Sequence, residues 1–103
     1  MKYIFDNKNS SLNINLDEDI DMNACKVLRT VIDGYIMKYQ PKEFVMDLTN
    51  VKFMDSSGIG LLMGRYNLIK LLDSSMTIVN PSESIKRIIE LSTVGKYIKM
   101  RCS

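Results

Sequence analysis

The first 41 residues pass from strand-like to helical spacing of their apolar positions. Residues 12–16 alternate apolar and polar side chains, residues 1–6 predict a partner strand, and the polar residues 7–11 between them predict a hairpin turn. Further on, apolar positions recur every three or four residues, which predicts a helix between a cap at Asn23 and a stop at Pro41. The predicted apolar stripe of this helix consists of Ala24, Val27, Leu28, Val31, Ile32, Tyr35, Ile36 and Tyr39.

Strand and helix patterns continue to alternate through the middle of the chain. Residues 43–48 are rich in strand-forming side chains, residues 59–72 have helical spacing, and residues 76–79 predict a further strand. Because helices join successive strands, parallel pairing with right-handed crossovers is favoured.

The last part of the chain carries the signals of one more helix and strand. Asn80 is predicted to cap this helix, Pro81 suits its first position, and Gly95 marks its end. Residues 97–100 predict a final strand. The sequence therefore predicts an α/β fold with one domain over residues 1–103, in which helices pack on a mixed, mostly parallel sheet of about five strands.

The composition excludes several classes of catalytic and metal-binding protein. Of the 103 residues, 46% are hydrophobic and 25% are charged, which is the balance of an ordinary globular domain. The chain has no histidine, which excludes serine–histidine and cysteine–histidine catalysis and the commonest metal ligand. The net charge of +2 is too small to indicate nucleic-acid binding.

Cysteine usage and hydropathy predict the compartment. Cys25 and Cys102 lie far apart and lack the spacing of zinc or redox motifs, so we expect free thiols in a reducing cytoplasm. No stretch reaches the roughly 18 apolar residues of a membrane span, and the N-terminal residues lack the apolar stretch of a signal peptide. We therefore expect a cytoplasmic protein that has no membrane partner.

Residues 17–21 form an acidic loop, because four of the five side chains are carboxylates. Such a run is either a solvated loop or a patch that faces a partner, and the residues alone leave both interpretations open. A calcium-binding loop would need a different spacing and a glycine. Met22, which follows the loop, has the flexible side chain of a pliable contact surface.

Residues 55–66 combine aspartate, serine and glycine where a strand gives way to a helix. Ser56 or Ser57 is predicted to cap the free N–H groups of the first helical turn. Gly58 and Gly60 fall in the same turn, where glycine has poor helix propensity. Their presence indicates a need for close approach or for room.

Three kinds of chemistry fit this segment to different degrees. The glycine spacing resembles a phosphate-binding loop, but no lysine is placed to meet a phosphate. A nucleophilic serine would need a base within hydrogen-bond reach, and no histidine supplies one. A serine that another enzyme phosphorylates fits better, because a helix N-terminus tolerates the added charge of roughly −1.5 to −2. Such a modification changes the surface that a partner contacts and leaves the fold intact.

The run from Val51 to Tyr66, with Asp55-Ser56-Ser57-Gly58 at its centre, resembles the bacterial anti-sigma factor antagonists of the STAS domain family. The resemblance continues through residues 76–92, and the order of elements agrees. It is strongest to the antagonists that act in sporulation and next to those of the general stress response. It implies a STAS-type single domain.

This resemblance implies a regulatory binding protein and not an enzyme. Unphosphorylated members bind an anti-sigma factor that is also a serine kinase, and the sigma factor is thereby freed. The kinase phosphorylates the first serine of the motif, here Ser56, and the phosphorylated form dissociates until a metal-dependent, PP2C-type serine phosphatase resets it. ATP and metal belong to these partners, so we expect no cofactor on this chain. The acidic loop matches the second functional region of the family at Asp19 and Asp21.

The resemblance and the local pattern together define an expected site. Asp55 and Ser57 should shape the loop that the kinase recognises, and Gly58 should let the partner approach closely. Leu61 and Arg65 are expected on the helix face that contacts the partner. The expected partner contacts are Asp19, Asp21, Asp55, Ser57, Gly58, Leu61 and Arg65, with Ser56 as the phosphorylation site.

Two other functions stay open on the sequence alone. One is a STAS scaffold or sensing module that is not phosphorylated. The other is a small nucleotide-binding or serine-based enzyme, which would show turnover or tight nucleotide binding by the isolated chain.

Overall fold

A computed structural model describes residues 1–102, which form five strands and three helices around one sheet. The strands are β1 (Lys2–Asp6), β2 (Ser11–Asn15), β3 (Glu43–Asp47), β4 (Ser75–Val79) and β5 (Lys99–Arg101). The helices are α1 (Met22–Tyr39), α2 (Ser56–Leu71) and α3 (Glu83–Leu91), and a short 3-10 helix covers Thr93–Lys96.

The five strands pair in the order β1-β2-β3-β4-β5. The first pair is antiparallel and the other three are parallel, which confirms the predicted hairpin and the mixed, mostly parallel sheet. In this register Leu12 lies beside Phe44, which lies beside Met76. Since alternate residues of a strand point to opposite faces, these buried side chains line one face of the sheet.

All three helices cover that same face. The hydrophobic core joins the inward strand residues to buried residues of the helices, such as Leu28, Leu62 and Ile85. Val45, on the opposite face of β3, lies outside this core. Because β2 and β3 are parallel neighbours, their carboxyl ends and the loops that lead into α1 and α2 lie at a single edge of the sheet.

The starts of α1 and α2 correct the predicted caps. The Asp21 carboxylate accepts a hydrogen bond from the Ala24 N–H at 2.8 Å, so Asp21 caps α1 in place of Asn23. The Asp55 carboxylate accepts one from the Ser57 N–H at 2.8 Å, so Asp55 caps α2 in place of a serine. Each cap is the last residue with extended backbone before the helix, where its side-chain oxygen can accept a hydrogen bond from an N–H of the first turn.

The start of α3 corrects the third predicted cap. Ser82 holds that position, with its hydroxyl 3.3 Å from the Ile85 N–H. Asn80 has a left-handed backbone, with φ of 54°, and lies two residues too early to cap the helix. The 3-10 helix then shifts the last strand from the predicted residues 97–100 to β5.

The predicted stripe of α1 is too wide. Leu28, Ile32 and Ile36 are buried, whereas Val27 and Val31 are exposed. A helix that covers one face of a sheet buries only the row that faces the strands, so the valines at the margin of the stripe stay in solvent.

Candidate partner-binding site at the helix N-termini

The acidic loop and the serine motif are joined by backbone hydrogen bonds. Ile20 and Met54 form an isolated parallel bridge. The Ile20 N–H donates to the Phe53 carbonyl at 2.9 Å, and the Asp55 N–H donates to the Ile20 carbonyl at 3.1 Å. Two regions that are distant in sequence therefore form one surface beside the first turns of α1 and α2.

The bridge also decides which side chains face outward. Ile20 and Met54 are buried, and paired extended segments alternate their side chains between two sides. Their neighbours Asp19 and Phe53 accordingly lie on the outer side, and both are exposed. The bridge thus places the acidic loop and an exposed aromatic ring next to each other.

Ser56 is the first residue of α2 and is exposed. Its hydroxyl makes no hydrogen bond with any of residues 1–102, since the cap is supplied by Asp55. Ser57, the next residue, is half-buried, and its N–H is bonded to that cap. Of the two serines, Ser56 is the more exposed.

The acidic residues divide into two kinds. Asp19 is exposed, whereas Asp21 and Asp55 are half-buried, and their carboxylates accept helix N–H groups. The predicted contact residue Asp21 therefore has a structural role as a cap, and Asp19 has the freer carboxylate. Both kinds of residue add a carboxyl group to this surface.

Gly58 is needed for internal packing, and its expected contact with a partner stays a prediction. A Cβ at this position would lie 2.5 Å from the Met54 Sδ and 3.2 Å from the Ile20 Cγ2. Gly58 is itself buried. The missing side chain lets α2 pack closely on the bridge that joins the two loops. At Gly60 a Cβ would meet no atom within 4 Å.

Leu61 and Arg65, which are also predicted partner contacts, are buried and line the groove between the helices. Both are buried between α1 and α2, and Arg65 is only 5% exposed. The Arg65 Nε lies 2.7 Å from an oxygen of Asp33 on α1, and its Nη2 donates to the other oxygen at 3.3 Å. Burial lowers the pKa of Arg65, and Asp33 opposes that shift. The Arg65 and Asp33 side chains thus connect α2 to α1, the two helices that carry the site.

A groove of about 310 Å³ runs between the first halves of α1 and α2. Its walls include Met22, Cys25, Lys26, Arg29, Ser57 and Arg65. Burial raises the pKa of the Cys25 thiol, and the carboxylates of Asp55 and Asp21 raise it further. The groove therefore has cations along its walls and carboxylates at the end nearest the serine motif.

Two other kinds of feature are absent from residues 1–102. No group of cysteine, aspartate and glutamate side chains there is arranged to hold a metal ion. No helix in this part of the chain is long and apolar enough to cross a membrane.

Residues 5–103 match the STAS domain family. The anti-sigma F factor antagonist of Paenibacillus polymyxa is 31% identical over 85 residues, which are 82% of this chain and 73% of the relative. Among solved structures, the anti-sigma factor antagonist SpoIIAA in its unphosphorylated form is similar, with a TM-score of 0.81 and 22% identity over 99% of this chain and 88% of that one. The phosphorylated form of the Bacillus cell fate determinant SpoIIAA has a TM-score of 0.73 and 22% identity, over 99% of this chain and 91% of that one.

Fold and sequence together define a STAS domain. The chain belongs to the STAS domain family.

Phe53 and Asp33 are absent from the residues predicted for the site. The polar–apolar alternation of Asp19-Ile20-Asp21 is a signal for an extended segment, whereas Phe53-Met54-Asp55 does not alternate. No sequence signal pairs Asp33 with Arg65, since they lie on different helices.

Proposed function

We propose that this chain is an anti-sigma factor antagonist that phosphorylation switches off at Ser56. In the unphosphorylated form it binds an anti-sigma factor that is also a serine kinase, and a sigma factor is released. The kinase transfers the γ-phosphoryl group of ATP to the Ser56 hydroxyl, with ADP as the leaving group, and a PP2C-type phosphatase removes it. The 31% identical relative that is named an anti-sigma F factor antagonist supports this proposal, and a cytoplasmic location follows from it.

The observation that carries the proposal is the setting of the Ser56 hydroxyl. It is exposed at the first position of α2, free of hydrogen bonds within the described residues, and adjacent to the bridge that presents Asp19. A side chain with no structural bond can gain or lose a phosphoryl group without unfolding the helix. The acidic loop beside it gives a partner a second point of recognition.

The same setting explains how one phosphoryl group can act as a switch. The partial positive charge of the α2 N-terminus favours the added charge of roughly −1.5 to −2. The fold therefore tolerates the modification. A partner that covers Ser56 would have to remove water from this dianion, which costs several kcal/mol unless the partner supplies matched cations. Binding is lost and the domain stays folded.

The direct test uses the anti-sigma F factor of Paenibacillus polymyxa, the target implied by the name of the relative, together with Mg-ATP. Binding is measured by calorimetry, and the modified peptide is mapped by mass spectrometry. We expect binding before phosphorylation, phosphate on Ser56, and loss of binding afterwards. Ser56→Ala should remain unmodified, whereas Ser57→Ala should be phosphorylated. Binding without phosphate would remove the kinase cycle, and neither binding nor phosphate would favour a STAS scaffold.

A further inference from the structure

Two large apolar side chains that adjoin the site in sequence are exposed. Phe53 precedes the serine motif, and Met22 follows the acidic loop. Phe53 is 50% exposed and directly precedes the bridged residue Met54. Met22 is 61% exposed and is the first residue of α1, directly after the cap Asp21. Neither side chain belongs to the hydrophobic core. Both therefore leave apolar area in water without a benefit to folding.

The backbone brings Phe53 and Met22 to the two segments that the Ile20–Met54 bridge joins. The Phe53 carbonyl accepts the Ile20 N–H, so Phe53 lies beside the residues that lead into Met22. Alternation across the buried Ile20–Met54 pair turns Phe53 outward with Asp19. Ser56 follows Met54 by two residues, as Met22 follows Ile20, so Met22 and Ser56 occupy equivalent positions after the bridge.

We propose that Phe53 and Met22 are the apolar anchors of the partner-binding surface, and that the partner presents an apolar pocket bordered by cationic side chains. This inference rests on the proposed function and names the chemistry of its partner. Aromatic rings and methionines are enriched where protein interfaces bury most area, and a few such side chains supply most of the binding energy.

The charges around Phe53 and Met22 indicate which side chains should border the apolar pocket of the partner. The surface carries the acidic side chains Asp17, Glu18, Asp19, Asp21 and Asp55. Within the described residues, the only ion pairs to this set come from the Met1 amino group, which lies 3.0 Å from Asp17 and 3.8 Å from Glu18. Lys52 is the nearest cation in sequence to Phe53. A partner that buries Phe53 and Met22 therefore meets carboxylates on the side of the acidic loop, with Lys26 and Arg29 on the groove side of Met22. Cationic side chains of the partner complement the loop side.

The anchors also explain why a phosphoryl group opposes a partner that is itself basic. Ser56 lies in the same surface as both anchors, so Phe53 and Met22 can enter their pocket only if water leaves Ser56. Removing water from a neutral hydroxyl costs far less than removing it from a hydrated dianion. Phosphorylation thus opposes binding through the desolvation of the Ser56 phosphate, because the cations of the partner are placed against the carboxylates of the acidic loop and not against Ser56.

The test measures the Kd of Phe53→Ala and Met22→Ala for the anti-sigma F factor of Paenibacillus polymyxa, by calorimetry. We expect each substitution to weaken binding by about 30-fold, the effect of a typical hot-spot residue. The matched controls are Leu71→Ala and Leu91→Ala, which remove side chains that are 83% and 84% exposed elsewhere on the molecule. These controls should bind within about twofold of the unsubstituted chain.

Two further variants separate anchoring from other effects. Phe53→Leu keeps an apolar side chain and should recover most of the affinity, and thermal melting should show that all four alanine variants are folded. Asp19→Asn should slow association and reduce its dependence on salt, since rim charges act on the association rate.

The outcomes distinguish this inference from the proposed function. If the unsubstituted chain does not bind the anti-sigma factor, the proposed function fails and the anchors fail with it. If the unsubstituted chain binds and the Phe53 and Met22 variants bind as tightly as it does, the inference that they are anchors is wrong and the proposed function stands. A uniform loss in the anchor variants and both controls would also contradict the inference, because it would show no preference for this surface.

Discussion

The Arg65 guanidinium and the Asp33 carboxylate join α2 to α1 through a contact of 2.7 Å between Nε and Oδ1. Arg65 is the single buried charged residue among those described, and its Nη1 has no hydrogen-bond partner there. Arg65 also lines the groove that leads to Ser57. The pair therefore holds the two helices whose N-termini carry the candidate site.

Removal of Asp33 should destabilise the fold more than removal of the whole pair. Asp33→Ala leaves a buried guanidinium without its counter-ion, and we expect a loss of about 2–3 kcal/mol, because Asp33 is partly exposed. Asp33→Ala combined with Arg65→Met should recover most of this loss, since methionine fills the space without a charge. Urea unfolding measures both values. If the double variant is no more stable than Asp33→Ala, burial of the charge is not the cause.

Substitution of two glycines of α2 should have opposite effects on stability. Gly58→Ala forces Met54 and Ile20 to shift and should destabilise by about 1–3 kcal/mol. Gly60→Ala meets open space and should stabilise by about 0.5–1 kcal/mol, because alanine is the better helix former. Chemical denaturation of the two variants in parallel tests the pair. Equal effects at both positions would argue against close packing at Gly58.

The carboxylate of Asp55 should contribute to stability through its cap and not through its charge. Asp55→Ala removes the acceptor for the Ser57 N–H and should cost about 0.5–2 kcal/mol. Asp55→Asn keeps a capping oxygen and should be nearly as stable as the unsubstituted chain. Melting curves of the two variants distinguish the effects. A large loss in Asp55→Asn would show that the charge itself is required.

Ser56 should be dispensable for folding and sensitive to charge in binding. Ser56→Ala removes a hydroxyl without a partner, so its free energy of unfolding should change by less than about 0.5 kcal/mol, and it should bind the anti-sigma factor constitutively. Ser56→Asp should melt normally and bind more weakly. Thermal melting and calorimetry on both variants give the comparison. A strongly destabilised Ser56→Asp would indicate a structural role for this serine.

The Cys25 thiol should report on the charge of the site. Burial, followed by Asp55 and Asp21, raises the pKa of Cys25 above its ordinary value, so less thiolate is present at pH 8 and alkylation by iodoacetamide is slow. With Cys102→Ser as background, the rate should rise as the pH increases through that raised pKa. Asp55→Asn should make alkylation faster than in the unsubstituted chain. Phosphate on Ser56 should make it slower than in the unphosphorylated chain. A rate that is indifferent to both changes would separate Cys25 electrostatically from the site.

Much of the fold follows from local patterns. The alternation in residues 12–16 and the helical spacing before Pro41 predict β2 and α1, because the two periods reflect which side chains face a core. Caps were harder to assign. Asp21, Asn23 and Asn80 all carry suitable oxygens, and only the backbone of the folded chain decides which of them precedes the helix with extended geometry.

The amino-acid sequence by itself determined the order of strands and helices, the mixed sheet and the serine motif at the start of α2, because these depend on spacing within short segments. Only the tertiary structure decided that Ile20 pairs with Met54 and that Arg65 is buried against Asp33. Such contacts join segments that are distant along the chain, and they form only once the helices pack on one face of the sheet. The same packing buries Gly58 and leaves Phe53 in solvent, which local patterns do not encode.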